Sequence, residues 1–543
     1  MRRWFTTLCT VSLLVLTANT FAQTGGELHF CLRSEPRTFN PLLVQDDASE
    51  TIRYLTGGVL IRINRQTQAA EPALATAWKV SRDGRSITFT LREKVYFSDG
   101  TPFTAEDVAA TVRQMMDPAL HSPTGDSFRA GKGEVRAEVL SPYRVRITFP
   151  AMIAGMERLW DQVTIMSAHS PNKEKAVLGP FYLADYKSGS YVLLKRNPNY
   201  WKRDSRGRHL PYFDSVRLDI QPNRDIEVMR LKRGEIDLIN SLDPEYYDRL
   251  ASTSSTAVRD AGPSLDSEQM WFNQVPGAPL PAYKLAWFQS RNFRRAVSQA
   301  INRDDIVRIV FHAHATPAVG PFSPANKLWF NTNLRPVRYD PSAALRLLQQ
   351  DGFRMTNGVL RGKAGHAVEF SLVTNSGNKY RERMAAMIQQ DLAKIGIKVN
   401  VVTLDFPSLI ERMTESFDYE AILLGLTNVG IDPNTMMNVW MSSGDNHQWN
   451  PRQKSPATAW ESEIDRFMQE QASAADFSKR KAAFDRVQAI VVQQAPFIYL
   501  VNKNALSAIS PALYGAVPVV MRPQTYWNAD TMSFATDQAK NQR

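Results

Sequence analysis

Short alternating runs dominate the first half of the chain and longer helical runs the second. Apolar and polar residues alternate through Ile87-Thr88-Phe89-Thr90-Leu91, Val145 to Phe149 and Val216 to Ile220, which predicts strands with one buried face. Glu27 to Leu32 predicts a further strand, and Tyr182 to Lys195 a hairpin. The turn Ser98-Asp99-Gly100-Thr101-Pro102 leads to Thr104 and Asp107, a capping-box spacing. It opens a helix with Val108, Val112, Met115 and Met116 on one side. Shorter helices are predicted over 225–234 and 244–250. Beyond Gly262, Phe293, Val297, Ala300 and Ile301 share one helical face, and Met384, Met387, Ile388, Leu392 and Ile395 another, with Gly396 as its stop. The β-branched run Ile397 to Leu404 and then Tyr419 to Leu424 predict strands. Helix followed by strand indicates an α/β protein, and the absence of a 20–50-residue repeat argues against a solenoid or propeller.

The first residues set the expected compartment. Arg2 and Arg3 precede an apolar stretch from Trp4 to Leu16, and Thr20-Phe21-Ala22 places small residues at cleavage positions, so residues 1–22 read as a signal peptide. The stretch is shorter than the roughly 20 apolar residues that span a bilayer. Of the two cysteines, Cys9 lies inside the apolar core and Cys31 lies nine residues beyond the cut. A lipid anchor and an intrachain disulfide are therefore both disfavoured. The expectation is an unanchored, soluble protein of the periplasm. The 543 residues suit three or four lobes or fewer large ones, and 43% hydrophobic with 22% charged residues is ordinary for a globular chain. The formal net charge of +11 is scattered apart from 203–208 and 291–295. Without an aromatic-interleaved basic stripe, no nucleic-acid partner is expected.

Catalysis needs a nucleophile, base or metal at recognisable spacing. No Gly-x-Ser-x-Gly elbow, phosphate-binding Gly-rich loop with Lys, or His-Glu-x-x-His helix occurs, so an enzyme is not expected, nor a cofactor. His312 and His314 form the one close histidine pair, which lacks the further ligands a metal would want and reads as an exposed loop.

The run from Phe89 through Tyr96-Phe97-Ser98-Asp99-Gly100-Thr101-Pro102-Phe103-Thr104-Ala105-Glu106-Asp107-Val108 resembles the signature of the peptide and nickel type (family 5) of ABC-importer solute-binding proteins. Gly179-Pro180-Phe181-Tyr182, Asn197 to Trp201, Trp271-Phe272-Asn273, Phe293 to Val297, Tyr339-Asp340-Pro341, Arg381 to Asp405 and Ala495 to Tyr499 extend the resemblance in order over nearly the whole mature chain. It implies a two-lobed, class II-like binding-protein fold with an inserted domain, three domains in all. Lobe I would take 23–54, 175–262 and 500–543, the insert 55–174, and lobe II 263–499. It also implies a monomer that captures an oligopeptide or related ligand between its lobes. That ligand would be delivered to permease subunits of the inner membrane, driven by cytoplasmic ATPases. A non-peptide ligand (oligosaccharide, conjugate or metal chelate), or a role in sensing, is the alternative.

Family position supplies the candidate ligand residues. In relatives that bind short peptides an aspartate neutralises the α-ammonium, a strong charge-assisted contact. Aligning on Asp432-Pro433 puts Val429 there, with Asp432 as the anchor only if the register slips; an Asp-Pro pair otherwise reads as a turn. The arginine that holds a dipeptide's carboxylate is replaced by Asn375. Both charged anchors thus look absent, which disfavours ordinary dipeptides. Glu35, Arg37, Trp271, Asn273, Thr427, Asn428, Trp440, Trp449 and Asn450 complete the set. Its tryptophans and asparagines offer stacking faces and uncharged hydrogen bonds, with core packing the competing fate of each tryptophan.

Overall fold

The computed structural model describes residues 25–126, 128, 133–171, 175–253, 257–426 and 431–535, so the expected signal peptide lies outside the described residues. Its centre is a twelve-stranded mixed sheet in two halves that share one long strand, Phe497–Ile509. In the first half Glu27–Leu32 runs parallel to Ser215–Ile220, which pairs antiparallel with Tyr191–Arg196 and through it with Phe181–Lys187. In the second half Ser267–Phe272 lies antiparallel to both Ala421–Leu426 and the early part of the long strand. Glu369–Asn375 and Lys398–Leu404 extend this half as a parallel pair. The long strand changes partners along its length. Trp271 sits opposite Phe497 and Ala315 opposite Lys503, whereas Val258 sits opposite Ala508 and Leu238 opposite Ile509.

A separate four-stranded antiparallel sheet comprises Ala75–Val80, Ser86–Leu91, Arg144–Thr148 and Arg136–Ser141. Phe89, Val145 and Ile147 build its core with Trp160 and with the helix Ala105–Met116. That helix starts where its capping residues predict. Thr104 Oγ1 accepts from the Glu106 amide, and Asp107 Oδ2 accepts from the Thr104 amide at 2.7 Å. Asp107 Oδ1 also accepts from the Ala168 amide at 2.8 Å, which ties the helix to a segment 61 residues away.

The central strand Ser267–Phe272 is covered on both faces. Met270 and Phe272 enter one core with Phe288, Phe293 and Phe370, and Trp271 enters the other with Trp440, Trp449 and Phe497. The helical hairpin Ala459–Ser473 and Phe477–Gln494 caps this second core. The expected strand Tyr419 to Leu424 is observed as Ala421–Leu426. Its start is displaced because Phe417 is held at φ 54° and the Asn273 amide binds the Phe417 and Tyr419 carbonyls, so the chain is still turning there. No helix among the described residues is long and apolar enough to cross a membrane.

Candidate functional site

A cavity of about 450 Å³ opens where the two halves of the large sheet meet the four-stranded layer. Its walls come from the lead-in and first turns of the helix Asp47–Thr56, from Ile63, Arg65 and the segment 158–162, and from the crossover Ser264–Asp266. Ile431, Asp432 and Thr435 add the second half's wall, and segment 520–524 closes the rim. The helix is aimed there by Asp46, whose Oδ1 caps the Ser49 amide at 2.9 Å.

Charge pairing sets the character of the walls. Arg53 makes a two-pronged contact with Glu50, 2.6 Å at each nitrogen, and donates to the Gln162 carbonyl. Arg65 Nη2 donates to Asp161 Oδ2 at 2.8 Å, and Arg62 stands 3.7 Å from Asp161 Oδ1. Burial by itself would raise the Asp161 carboxyl, but Arg65 and Arg62 outweigh it and hold it below the usual carboxylate range. Arg522 bridges Asp47 at 3.4 Å and Asp266 at 3.3 Å, linking the first half to the crossover. Arg158 is half-buried and donates from Nη1 to the Gln68 carbonyl at 3.0 Å.

The four-stranded layer is clasped directly to the second half. Gln68, fully buried at φ 63°, donates to the Ala325 carbonyl at 2.7 Å and accepts from the Lys327 amide at 3.0 Å. Asn434 donates to the Ala154 carbonyl at 2.6 Å. At Gly155, φ 68°, a Cβ would lie 2.8 Å from Arg480 Nη1 and 2.9 Å from Asp432 Oδ2, so the close approach requires glycine.

Of the twelve residues singled out in the sequence, Asp432 lines this cavity. It is 5% exposed, caps the Asn434 amide at 3.1 Å and pairs with Arg480 at 2.7 Å, so it serves the turn read from Asp-Pro as well. Thr427, Asn428 and Val429 lie outside the described residues. Trp271, Trp440 and Trp449 are brought together, but around Phe497, with ring centroids 5.7, 6.0 and 5.1 Å away. All three are fully buried, so of the two fates open to each tryptophan, ligand stacking or core packing, it is packing that occupies their rings. Trp449 Nε1 also donates to buried Glu461 at 2.9 Å. Asn273 spends its side chain on backbone: its amide on Phe417 and Tyr419, its oxygen on the Val275 amide. Asn450 joins a local turn through its backbone, its main-chain N–H donating to the His447 carbonyl.

Asn375 accepts from Arg381, which is paired with buried Glu268 at 2.8 Å, and Lys503 of the long strand completes that group at 3.2 Å. Glu35 is held by the Gly189 amide, Tyr186 and Ser188, which tether the first segment to a hairpin turn; Arg37 is exposed. The pair His312 and His314 is not a bare loop. His312 meets Asp248 at 2.6 Å, and His314 meets Asp248 at 3.0 Å and Asp260 at 3.2 Å, across the junction of the two halves. Among the described residues no group of three or more such side chains is arranged for a metal ion.

The cavity's principal polar residues, Arg53, Arg65, Arg158, Asp161 and Arg522, escaped sequence reasoning. Arginines and acids are scattered throughout the chain, and no local spacing marks those that converge from segments hundreds of residues apart.

The family model for bacterial extracellular solute-binding proteins, family 5, matches residues 69–448. A probable ABC transporter-binding protein of Deinococcus radiodurans is 27% identical, the match covering 91% of this chain and 89% of the relative. The oligopeptide-binding protein AppA of Bacillus subtilis is 24% identical over 91% and 89% of the two chains. Its structure in complex with a nonapeptide has a TM-score of 0.70 to this chain at 23% identity, covering 95% and 100%. NikA from Brucella suis, solved with Fe(III)-EDTA, has a TM-score of 0.78 at 21% identity, covering 93% and 99%. The signature around Phe89 to Val108, the two half-sheets joined by a shared strand and the match over residues 69–448 agree: this chain is a member of the family 5 bacterial extracellular solute-binding proteins, a two-lobed binding protein and not an enzyme.

Proposed function

We propose that the protein is the solute-binding component of an ABC importer, which captures an oligopeptide or related ligand in the cavity between its lobes. It delivers that ligand to permease subunits in the inner membrane, powered by cytoplasmic ATPases. Residues 1–22 export it, and it works in the periplasm as an unanchored monomer. Lobe I takes 23–54, 175–262 and 500–543, the insert 55–174 and lobe II 263–499.

The observation that carries this reading is the placement of the cavity. Its walls come from loops and helix turns packed beside both half-sheets and beside the four-stranded sheet, so a ligand that fills it would bridge segments attached to all three. Such a ligand favours the one arrangement in which all its contacts are made, and a permease that recognises this arrangement is engaged only by loaded protein. The volume falls in the range of about 300–1,000 Å³ usual for small-ligand sites. Among the described residues the walls carry charged groups and no aromatic face, which suits a polar ligand better than a greasy one. The likeness to an oligopeptide-binding relative supports the peptide class.

Native mass spectrometry of protein purified from periplasm identifies what is carried. Thermal-shift screening then compares peptides of two to ten residues with oligosaccharides and metal chelates. Peptides are expected to raise the melting temperature; a shift with glycans or chelates and with no peptide would contradict the peptide reading.

A further inference from the structure

We propose that His314 is a pH-sensitive latch between the two halves of the molecule, engaged when its imidazole carries both protons. The observation behind it is one ring set between two carboxylates. Nε2 of His314 lies 3.0 Å from Asp248 Oδ1, and Nδ1 lies 3.2 Å from Asp260 Oδ2. A neutral imidazole donates from one nitrogen and carries a lone pair on the other, so in either tautomer one carboxylate faces a lone pair. Only the imidazolium donates to both, and it places a positive charge between two negative ones. The contact joins the halves. His312 and His314 precede Ala315–Pro317, which pairs with the long strand at Val501 to Lys503 in the second half. Asp248 belongs to the helix Pro244–Ala251, and Asp260 to the strand Val258–Pro263, which pairs with the later part of the long strand in the first half.

The loop that carries the histidines is bent to reach across. His312 and Ala313 stand at φ 51° and 66°, a region that residues with a Cβ seldom enter. The acceptors are fixed as well: Asp260 accepts from the Gly262 amide at 2.8 Å and from Asn504 Nδ2 at 2.9 Å, and Asp248 Oδ2 lies 2.6 Å from His312 Nδ1. Tyr247 sets its ring 4.5 Å from that of His314. Of the neighbouring cations, Arg259 stands near Tyr247 and donates to the Val258 carbonyl, while Lys503 is held by Glu268, Arg308 by Asp305 and Arg249 by Asp225. Burial alone would raise the Asp248 carboxyl, but the hydrogen bonds from His314 and His312 outweigh it and keep it below the usual carboxylate range. Asp248 therefore stays charged where a histidine exchanges its proton, between about pH 5 and 8. The latch holds on the acid side of that range and lets go on the alkaline side.

Small-angle X-ray scattering of the unliganded protein, from about pH 8 down to about pH 5.5, reads the arrangement of the halves with no solute present, so its outcome is independent of what the cavity binds. The radius of gyration of wild type is expected to fall as the pH falls. His314→Gln should stay at the high-pH radius throughout. Asp260→Asn offers an amide N–H to the Nδ1 lone pair of a neutral ring and should stay compact throughout. The melting temperature of each variant checks its fold. A wild-type radius that does not change with pH, an undiminished response in His314→Gln, or a wild-type response in Asp260→Asn would overturn the latch.

Discussion

Glu461 is 2% exposed, yet Trp449 Nε1 and Gln453 donate to it at 2.9 Å and Thr458 at 2.7 Å, and His447 Nε2 lies 3.2 Å away. Burial alone would raise its carboxyl, but His447, Thr458, Gln453 and Trp449 together hold it down at about 2. A depressed folded value means that its stabilisation is complete above the ordinary value of 4.5 and is lost as pH falls from there toward about 2. Urea midpoints measured between pH 7 and pH 2 should therefore fall across that window. Glu461→Gln should be destabilised by about 1–3 kcal/mol at pH 7 and lose less in the acid. The same cluster explains why the tryptophans were half-legible: their size marks them for burial or for stacking, and the local sequence around Trp449 carries nothing that chooses. The choice is made by Phe497, from a strand almost fifty residues away, against which all three pack.

At the scale of elements, local chemistry was readable and pairing was not. The capping box at Thr104 needs three residues of spacing, and the helix begins there as expected. The second bond of Asp107, to Ala168, depends on the chain returning to the same place, which no periodicity announces. Asp107 is fully buried, so Asp107→Ala would strand the Thr104 and Ala168 amides. It should cost about 2–4 kcal/mol, more than the roughly 1 kcal/mol of an ordinary cap, as read from denaturant midpoints. Helix ends behave similarly. Ile301 carries the periodicity of its helix and is buried, yet the helix stops at Ala300 because Asn302 caps the next one, accepting from the Asp305 amide. Periodicity reports which face is buried, and side-chain caps decide where the backbone turns.

For the whole molecule, the α/β class followed from alternation and helical spacing, while the two-lobed plan came from the family resemblance. Nothing local indicates that Glu27–Leu32 pairs with Ser215–Ile220, or that Phe497–Ile509 serves both half-sheets. The candidate site was least legible for the same reason. Its walls are gathered from segments spread between Val44 and Gln524, and family position drew attention to second-lobe residues that are mostly consumed by packing. The account's central claim is that the cavity shared by the lobes holds the solute. Thr435 is exposed on the cavity wall and outside the core, so Thr435→Trp fills the space with little burden on the fold. Calorimetric titration of the peptide identified from periplasm into wild type and into Thr435→Trp, each with its unliganded melting temperature, tests the claim directly. The account predicts that binding weakens by at least about a hundredfold, or vanishes, while the unliganded melting temperature is kept; binding at wild-type affinity in the filled variant would contradict it.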